Sequence, residues 1–195
     1  MKAGRLDEGI SKLKEIVQTL DEEEGRQEQE ARAWWRLGKA LWDSGGTFQS
    51  IVIFLFVLSD SSPEKESAFK HFITSLKRSS TFAPAFTSLG IYYAEFISPP
   101  DLDRSSKCFQ KAFELDAREA EAARRLAEGF AEEREWDLVE VVARRTIEGE
   151  GGLEGGSTGK GQPISSRYLP TNAWAWKAVG VVELVSKVTM IERHK

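Results

Sequence analysis

A pattern of apolar and small residues at helical spacing constrains the fold of this chain more than any other feature. Phe86, Leu89, Gly90 and Tyr93 lie at i, i+3, i+4 and i+7, so they share one face of a helix. Gly90 has no side chain, and a neighbouring helix can therefore approach closely at that point. Two consecutive prolines then end this helix before a second amphipathic stretch begins. The stretch 86–116 is therefore predicted to form a helix hairpin.

Both halves of the hairpin pattern recur along the chain. The first-helix pattern returns at Trp34, Leu37, Gly38 and Leu41, at Ala123, Leu126, Ala127 and Phe130, and more weakly at Trp176, Val179, Gly180 and Glu183. The second-helix pattern returns as three triplets: Ala68, Phe72 and Ser75, then Ser105, Phe109 and Ala112, then Val139, Ala143 and Thr146. This arrangement is the signature of the tetratricopeptide repeat (TPR), whose period is about 34 residues. The predicted fold is all-α, a TPR superhelical solenoid of antiparallel helix hairpins.

These positions divide the chain into repeats. The predicted segments are an incomplete repeat with an acidic connection (1–30), repeat one (31–81), repeat two (82–118), repeat three (119–148), a Gly-rich linker (149–171) and the first helix of a truncated repeat (172–195). The opening helix of repeat one is predicted over 31–43, ended by a Ser-Gly-Gly sequence. The second helix of repeat one is predicted over 67–78, and the last helix over 173–184. A solenoid needs capped ends for solubility. Neither end shows a cap, so we expect an internal block of a longer protein.

An apolar segment at 47–64 does not fit the repeat period. It contains the octet 51–58, which is β-branched and aromatic and has strand character. One interpretation is an inserted loop or strand packed against the solenoid. The interpretation we favour is a retained intron of in-frame length, which would make this chain a splice or gene-model variant. Sequencing of the transcript distinguishes the two.

Composition excludes several classes of protein. The net charge is -4 and the basic residues are interleaved with acids, so no positive stripe suits a phosphate backbone and no direct nucleic-acid binding is expected. A single cysteine excludes an internal disulfide framework and fits a reducing compartment. The octet is far shorter than the roughly 20 apolar residues that span a bilayer, so no membrane association is expected. A cytoplasmic protein, or one also found in the nucleus, is predicted.

No motif for catalysis, a cofactor or a metal is credible in the sequence. The Gly-rich stretch 155–160 resembles a phosphate-binding loop, but glycine follows its lysine where Ser or Thr should bind magnesium. His71 and His194 are distant in sequence and lack partner ligands for zinc. Cys108 precedes Phe109 and is interpreted as a small core residue. We therefore predict a protein without catalytic residues and without a cofactor.

Partner-binding residues are predicted on the first helices, which line the concave groove in a TPR array. Trp34, Trp136 and Trp176 are predicted to lie in the core, whereas Trp35 and Trp42 lie on another side of their helix. These two can face a ligand or pack against the preceding helix 6–20, and the sequence leaves both possibilities open. The groove candidates are Arg32, Trp35, Lys39, Trp42, Glu121, Arg124, Glu128 and Lys177. Apolar anchors with flanking charges suit an extended peptide or a partner helix.

The repeats also resemble a particular family. The segments 31–42, 82–93, 107–117, 123–130, 135–146 and 174–180 are similar to the TPR scaffold subunit of the superkiller (Ski) complex of fungi. The resemblance implies a non-catalytic scaffold that holds an RNA helicase subunit and WD-repeat subunits together. It also implies a role in exosome-dependent 3'-5' decay of messenger RNA in the cytoplasm.

Three other functions are weighed against this one. A co-chaperone-like TPR adaptor for carboxylate-tailed peptides would need convergent Lys, Arg and Asn, but tryptophans and acids accompany Arg32 and Lys39. An enzyme built from helical hairpins would need a polar constellation, and none is visible. Direct RNA binding would be detected by filter binding at low salt.

Overall fold

The computed structural model describes residues 2–20, 26–52, 63–149 and 173–193. These residues form eight helices: α1 (Lys2–Leu20), α2 (Gln27–Val52), α3 (Pro63–Arg78), α4 (Ala83–Glu95), α5 (Leu102–Leu115), α6 (Ala120–Glu132), α7 (Trp136–Gly149) and α8 (Ala173–Arg193). No strand occurs in the described part of the chain. The predicted all-α class, with TPR-type helical repeats, is confirmed.

The limits of three helices differ from prediction. α2 begins before Ala31 and continues through Gly45 and Gly46 to Val52, so the predicted end at the Ser-Gly-Gly sequence is wrong. Glycine lowers helix stability by about 1 kcal/mol but keeps its N–H, so it does not end a helix as proline does. α3 begins at Pro63, ahead of the predicted start at 67, because proline is accepted in the first turn. α8 continues to Arg193, past the predicted end at 184.

Only part of the apolar octet 51–58 lies within the described residues. Ile51 and Val52 belong to α2, so the predicted strand character is wrong for these two residues. The remainder of the octet, the 155–160 motif and most of the Gly-rich linker lie outside the described residues. The choice between a retained intron and a genuine insertion stays open.

The second-helix triplets are the clearest success of the repeat pattern. All nine of their side chains are buried: Ala68, Phe72, Ser75, Ser105, Phe109, Ala112, Val139, Ala143 and Thr146. Two of the small polar members also connect helices. The Ser75 hydroxyl donates to the Ala31 carbonyl at 2.7 Å, and the Ser105 hydroxyl donates to the Gly90 carbonyl at 2.8 Å. Because both hydroxyls are satisfied, they can be buried at close-packed positions without the penalty of an unpaired polar group.

The chain forms two compact units, Met1–Cys108 and Phe109–Lys195, and the division falls within α5. In the first unit α2 packs against α1, α3 and α4, and α3 packs against α4. The core of the α2–α3 hairpin is Phe72, which is 1% exposed. Its ring lies over Gly38: a Cβ at that glycine would be 2.7 Å from Phe72 Cε1 and 3.1 Å from the Ala68 carbonyl oxygen. The glycine of the signature therefore allows the two helices to approach each other closely.

In the second unit α7 packs against both α6 and α8. Trp136 begins α7 and is half-buried. Trp176 is 50% exposed, so its predicted place in the core is wrong for the described structure. None of the described helices is both long enough and apolar enough to cross a membrane.

Candidate partner-binding surface

Trp35 faces the next repeat rather than open solvent. Its side chain is half-buried, and its indole N–H donates to the Ser88 hydroxyl of α4 at 2.9 Å. The ring meets Phe82 edge to face, with the ring centroids 5.9 Å apart. These contacts hold Trp35 in one orientation, so only part of the ring is available to a partner.

Trp42 also packs against aromatic residues of the next repeat. Its ring lies edge to face with Tyr92 and with Phe96, each with centroids 6.2 Å apart, and the Lys65 ammonium lies 5.1 Å from its centroid. The possibility that Trp35 and Trp42 pack against the preceding helix is therefore wrong. The tryptophan that packs against α1 is Trp34, together with Ile10, Val17 and Leu37.

An aromatic cluster at this position was not predicted from the sequence. We use this name for Trp42, Phe69, Tyr92, Tyr93 and Phe96. Phe69 stacks on Tyr92 at 4.5 Å, and Tyr92 lies 5.1 Å from Phe96. The i, i+4 spacing of Tyr92 and Phe96 is a signal that could have indicated two of the five members of the cluster. Nothing in the sequence pairs them with Phe69 of another helix.

The charged candidates on α2 form ion pairs within their own helix. Arg32 and Lys39 are exposed, and they form ion pairs with Glu28 at 3.3 Å and with Asp43 at 3.0 Å. Exposed i, i+4 pairs contribute only a few tenths of a kcal/mol, so a partner can displace them easily.

The candidates on α6 form one charge network. Arg124 donates through Nε and Nη2 to the two oxygens of Glu121, at 3.1 and 2.7 Å, and through Nη1 to Glu128 at 2.5 Å. Arg125 Nε donates to Glu121 at 3.0 Å, as the i, i+4 spacing predicts. Burial alone would raise the pKa of Glu121, but the hydrogen bonds and charges of the two arginines outweigh it and lower the pKa. The network therefore presents fixed charges of both signs.

The eight candidates are divided between the two units. Arg32, Trp35, Lys39 and Trp42 belong to Met1–Cys108, whereas Glu121, Arg124, Glu128 and Lys177 belong to Phe109–Lys195. Lys177 is exposed on α8. Partner binding by any of these residues stays a prediction.

Two side chains of types that are often reactive, His71 and Cys108, pack against aromatic or apolar neighbours. His71 is stacked on Trp34 with ring centroids 5.1 Å apart, and its pKa is lowered by burial and then by the charge of Lys14. Cys108 packs against the Phe72 and Leu89 cluster, and burial followed by the charge of Asp101 raises the pKa of its thiol. Within the described ranges no cluster of side chains suits a metal ion. The raised pKa keeps the Cys108 thiol protonated at neutral pH, whereas a nucleophilic cysteine is a thiolate.

We expect His71 to titrate below the ordinary histidine pKa of 6.5. The unfolded chain then takes up the proton first as the pH falls. The protonation of His71 therefore does not affect stability above about pH 6.5. As the pH falls below this value the folded state loses stability, until the pKa of His71 in the folded state is passed. NMR titration of the imidazole Cε1–H signal measures the midpoint, and His71→Gln assigns the signal. Lys14→Gln should raise the midpoint only in part, because burial is the larger cause; a wild-type midpoint at or above 6.5 would contradict the prediction.

The paired helices, the glycine under Phe72 and the buried small-residue triplets define a helical-repeat protein of the TPR type. No protein-family model matches the chain. Over 147 residues, 75% of its length, the chain is 37% identical to superkiller protein 3 of Schizosaccharomyces pombe. Over 128 residues, 65% of its length, it is 33% identical to superkiller protein 3 of Saccharomyces cerevisiae. It spans only 9% and 8% of these relatives. The resemblance indicated by the repeats is confirmed: this chain is similar to a block of a fungal superkiller protein 3.

Proposed function

We propose that this chain is a non-catalytic scaffold for protein–protein interactions in a superkiller-type complex. The observation that carries the proposal is the 37% identity to superkiller protein 3 over 75% of the chain. By the resemblance, its partners are the RNA helicase and WD-repeat subunits, its setting is the cytoplasm, and its process is exosome-dependent 3'-5' decay of messenger RNA.

The mechanism is burial of partner side chains against preformed helix faces. The hydrogen bond from Trp35 to Ser88 and the packing of Trp42 in the aromatic cluster fix these rings before a partner arrives. Fixed aromatic anchors lose little conformational entropy on binding. The Glu121–Arg124–Glu128 network on α6 adds charge selectivity, because a partner must match both signs.

The alternative is a co-chaperone-like adaptor that clamps an acidic peptide tail. Such a clamp needs cations that converge on a carboxylate. Arg32 and Lys39 are instead paired with Glu28 and Asp43, and Arg124 is enclosed by two glutamates. Because the acidic groups beside each cation repel a further carboxylate, the charge pattern favours the scaffold. Saturable binding of a carboxylate-tailed peptide, lost in Lys39→Gln, would favour the clamp.

Affinity purification of the tagged chain, with and without 47–64, tests the scaffold. The deletion removes the last residues of α2 and the first of α3 but leaves Gly38 and Phe72, the close contact of the hairpin. We expect mass spectrometry to identify the helicase and WD-repeat subunits with the shortened chain, and Trp35→Ala, Trp42→Ala in that chain to reduce their recovery. Recovery of neither subunit with either chain would overturn the proposal.

The same comparison bears on the origin of 47–64. If the segment is a retained intron, transcripts that join the codons for Gly46 and Lys65 directly should exist, and partners should be recovered only with the shortened chain. Partner recovery that requires the segment would make it a genuine insertion.

A further inference from the structure

The turn between α3 and α4 carries an exposed serine behind two exposed cations. The Phe82 N–H donates to the Ser79 carbonyl at 3.3 Å and closes the turn, and Ser80 is one of its two central residues. Lys77 and Arg78 lie three and two positions before Ser80, and all three side chains are exposed. A basophilic serine/threonine kinase recognises an accessible hydroxyl after such a dibasic sequence, because carboxylates in its substrate groove pair with the cations.

Arg78 also holds an acid that has little access to water. Its Nε lies 3.4 Å from Oε2 of Glu30, and Glu30 is 7% exposed. This ion pair connects the last turn of α3 to the first turn of α2, next to the hydrogen bond from Ser75 to the Ala31 carbonyl. Removing the cation from a nearly buried carboxylate is costly, because the remaining charge is poorly solvated. A charge placed in the turn can therefore act on the α2–α3 contact through Arg78.

The turn between α5 and α6 shows that an arginine two positions from an anion reaches it. This turn also has four residues, and it is closed in the same way, since the Glu119 N–H donates to the Asp116 carbonyl at 3.1 Å. Arg118 donates to the two carboxylate oxygens of Asp116, through Nε at 3.0 Å and through Nη2 at 3.2 Å. Arg78 and Ser80 have the same separation in the opposite order. A phosphate on Ser80 would therefore lie within reach of the Arg78 guanidinium.

We propose that Ser80 is a phosphorylation site for a basophilic serine/threonine kinase, and that its phosphate takes Arg78 from Glu30. In the transfer the Ser80 hydroxyl oxygen bonds to the γ-phosphorus of ATP, and the bond from that phosphorus to the bridging oxygen of ADP breaks. ADP leaves with the bonding electron pair, and the hydroxyl proton passes to the catalytic base of the kinase. The phosphate carries a charge of about −1.5 to −2 at pH 7 and can accept two hydrogen bonds from one arginine. It therefore competes effectively with a single carboxylate oxygen at 3.4 Å.

The first turns of α2 are the part of the chain that responds to this modification. Ala31 follows Glu30 directly and is buried with Phe82, and Trp35 packs against the same cluster. Separation of Glu30 from Arg78 loosens this end of α2, so phosphorylation changes the support of Trp35, one of the groove candidates. The proposal concerns a covalent modification and its effect on helix packing, and it does not depend on the superkiller assignment.

Phosphorylation of the full chain by the catalytic subunit of cyclic-AMP-dependent protein kinase, with ATP and Mg²⁺, tests the site. Tandem mass spectrometry should place the phosphate of the turn on Ser80, and Ser80→Ala should lower the rate of incorporation into the turn by about tenfold or more. Lys77→Gln should lower it by about fivefold or more, because one of the two recognised cations is lost. Lys111→Gln, which removes an exposed cation of α5, and Thr81→Val, which removes the neighbouring hydroxyl, are the controls and should each alter the rate less than about twofold.

Hydrogen exchange measures the effect on α2. The amides of residues 28–34 should exchange about fivefold faster, or more, in the phosphorylated chain than in the unmodified chain, because local opening of this end of α2 becomes easier. The amides of α7 should be unchanged. In Glu30→Gln there is no carboxylate to lose its cation, so phosphorylation of this variant should change exchange in α2 less than about twofold.

Two results would overturn the proposal. The first is a turn that takes up no phosphate while circular dichroism shows intact helices, or one that still takes it up in Ser80→Ala, because the acceptor would then be Ser79 or Thr81. The second is a phosphorylated chain in which α2 exchanges as in the unmodified chain, because Arg78 would then still hold Glu30. Both measurements use the purified chain alone, so their outcome and the recovery of superkiller subunits can differ.

Discussion

Phe72→Ala should lower the free energy of unfolding of the Met1–Cys108 unit by about 3–5 kcal/mol. Phe72 is 1% exposed, and its ring fills the space between α2, α3 and the Leu89 side of α4. Truncation removes the transfer free energy of the ring and leaves a cavity that packed helices cannot close fully. Urea denaturation followed by far-UV circular dichroism measures the change, and hydrogen exchange of the α3 amides places it in this unit.

Leu102→Ala is the control for this prediction. Leu102 is also a large apolar residue at a helix position, but it is 67% exposed, so its truncation should change stability by less than about 0.5 kcal/mol. If Phe72→Ala lost no more than Leu102→Ala, the central packing of the α2–α3 hairpin would be wrong.

Gly38→Ala should destabilise the same unit by up to about 2 kcal/mol, although alanine is the better helix former. The new methyl group would lie 2.7 Å from Phe72 Cε1 and 3.1 Å from the Ala68 carbonyl oxygen, and a backbone atom cannot move away without separating the helices. Overpacking of this kind exceeds the gain of about 1 kcal/mol in helix propensity. The change is measured by the same denaturation experiment.

Gly9→Ala should change the free energy of unfolding of the same unit in the opposite direction. Gly9 lies in α1, and no described atom is within 4 Å of a Cβ placed there, so this change should stabilise by up to about 1 kcal/mol. The double variant Gly38→Ala, Phe72→Ala then tests the contact itself. Without the ring, Gly38→Ala should lose most of its penalty, and strict additivity of the two single variants would contradict the contact.

The sequence predicted the parts of this fold that helical periodicity determines. Ala68, Phe72 and Ser75 could be assigned to one buried face because residues at i, i+4 and i+7 project in the same direction. Gly38 could be assigned to a close approach, because a glycine inside a helix lowers the stability of that helix and therefore usually has a packing reason.

Helical periodicity predicted less of the candidate site. Periodicity places Trp35 and Trp42 on a different side from Trp34, but it does not say which helix lies there. The partners, Ser88 for one and Tyr92 with Phe96 for the other, are contributed by α4 and the residue that follows it, more than one helix further along the chain. Long-range contacts of this kind depend on the angle between hairpins, which no local spacing encodes.

The repeat pattern also did not predict where the helices end. Ser44 was expected to help end α2, yet its hydroxyl donates to the Leu41 carbonyl at 2.8 Å and remains part of the helix. Trp176 matches the signature of a core residue, but burial depends on a neighbouring helix as well as on spacing, and no described helix covers it. A repeat signature therefore predicts which side chains can be buried, not which of them are.

The chain contains one cysteine, and its place at the junction of α3, α4 and α5 gives it a practical use. Because the Cys108 thiol is half-covered and its pKa is raised, an alkylating reagent at neutral pH meets little thiolate. Labelling should accelerate whenever α5 separates from Phe72 and Leu89. The rate of alkylation at this one sulfur atom, followed by mass spectrometry, therefore reports transient opening of the junction without an engineered label.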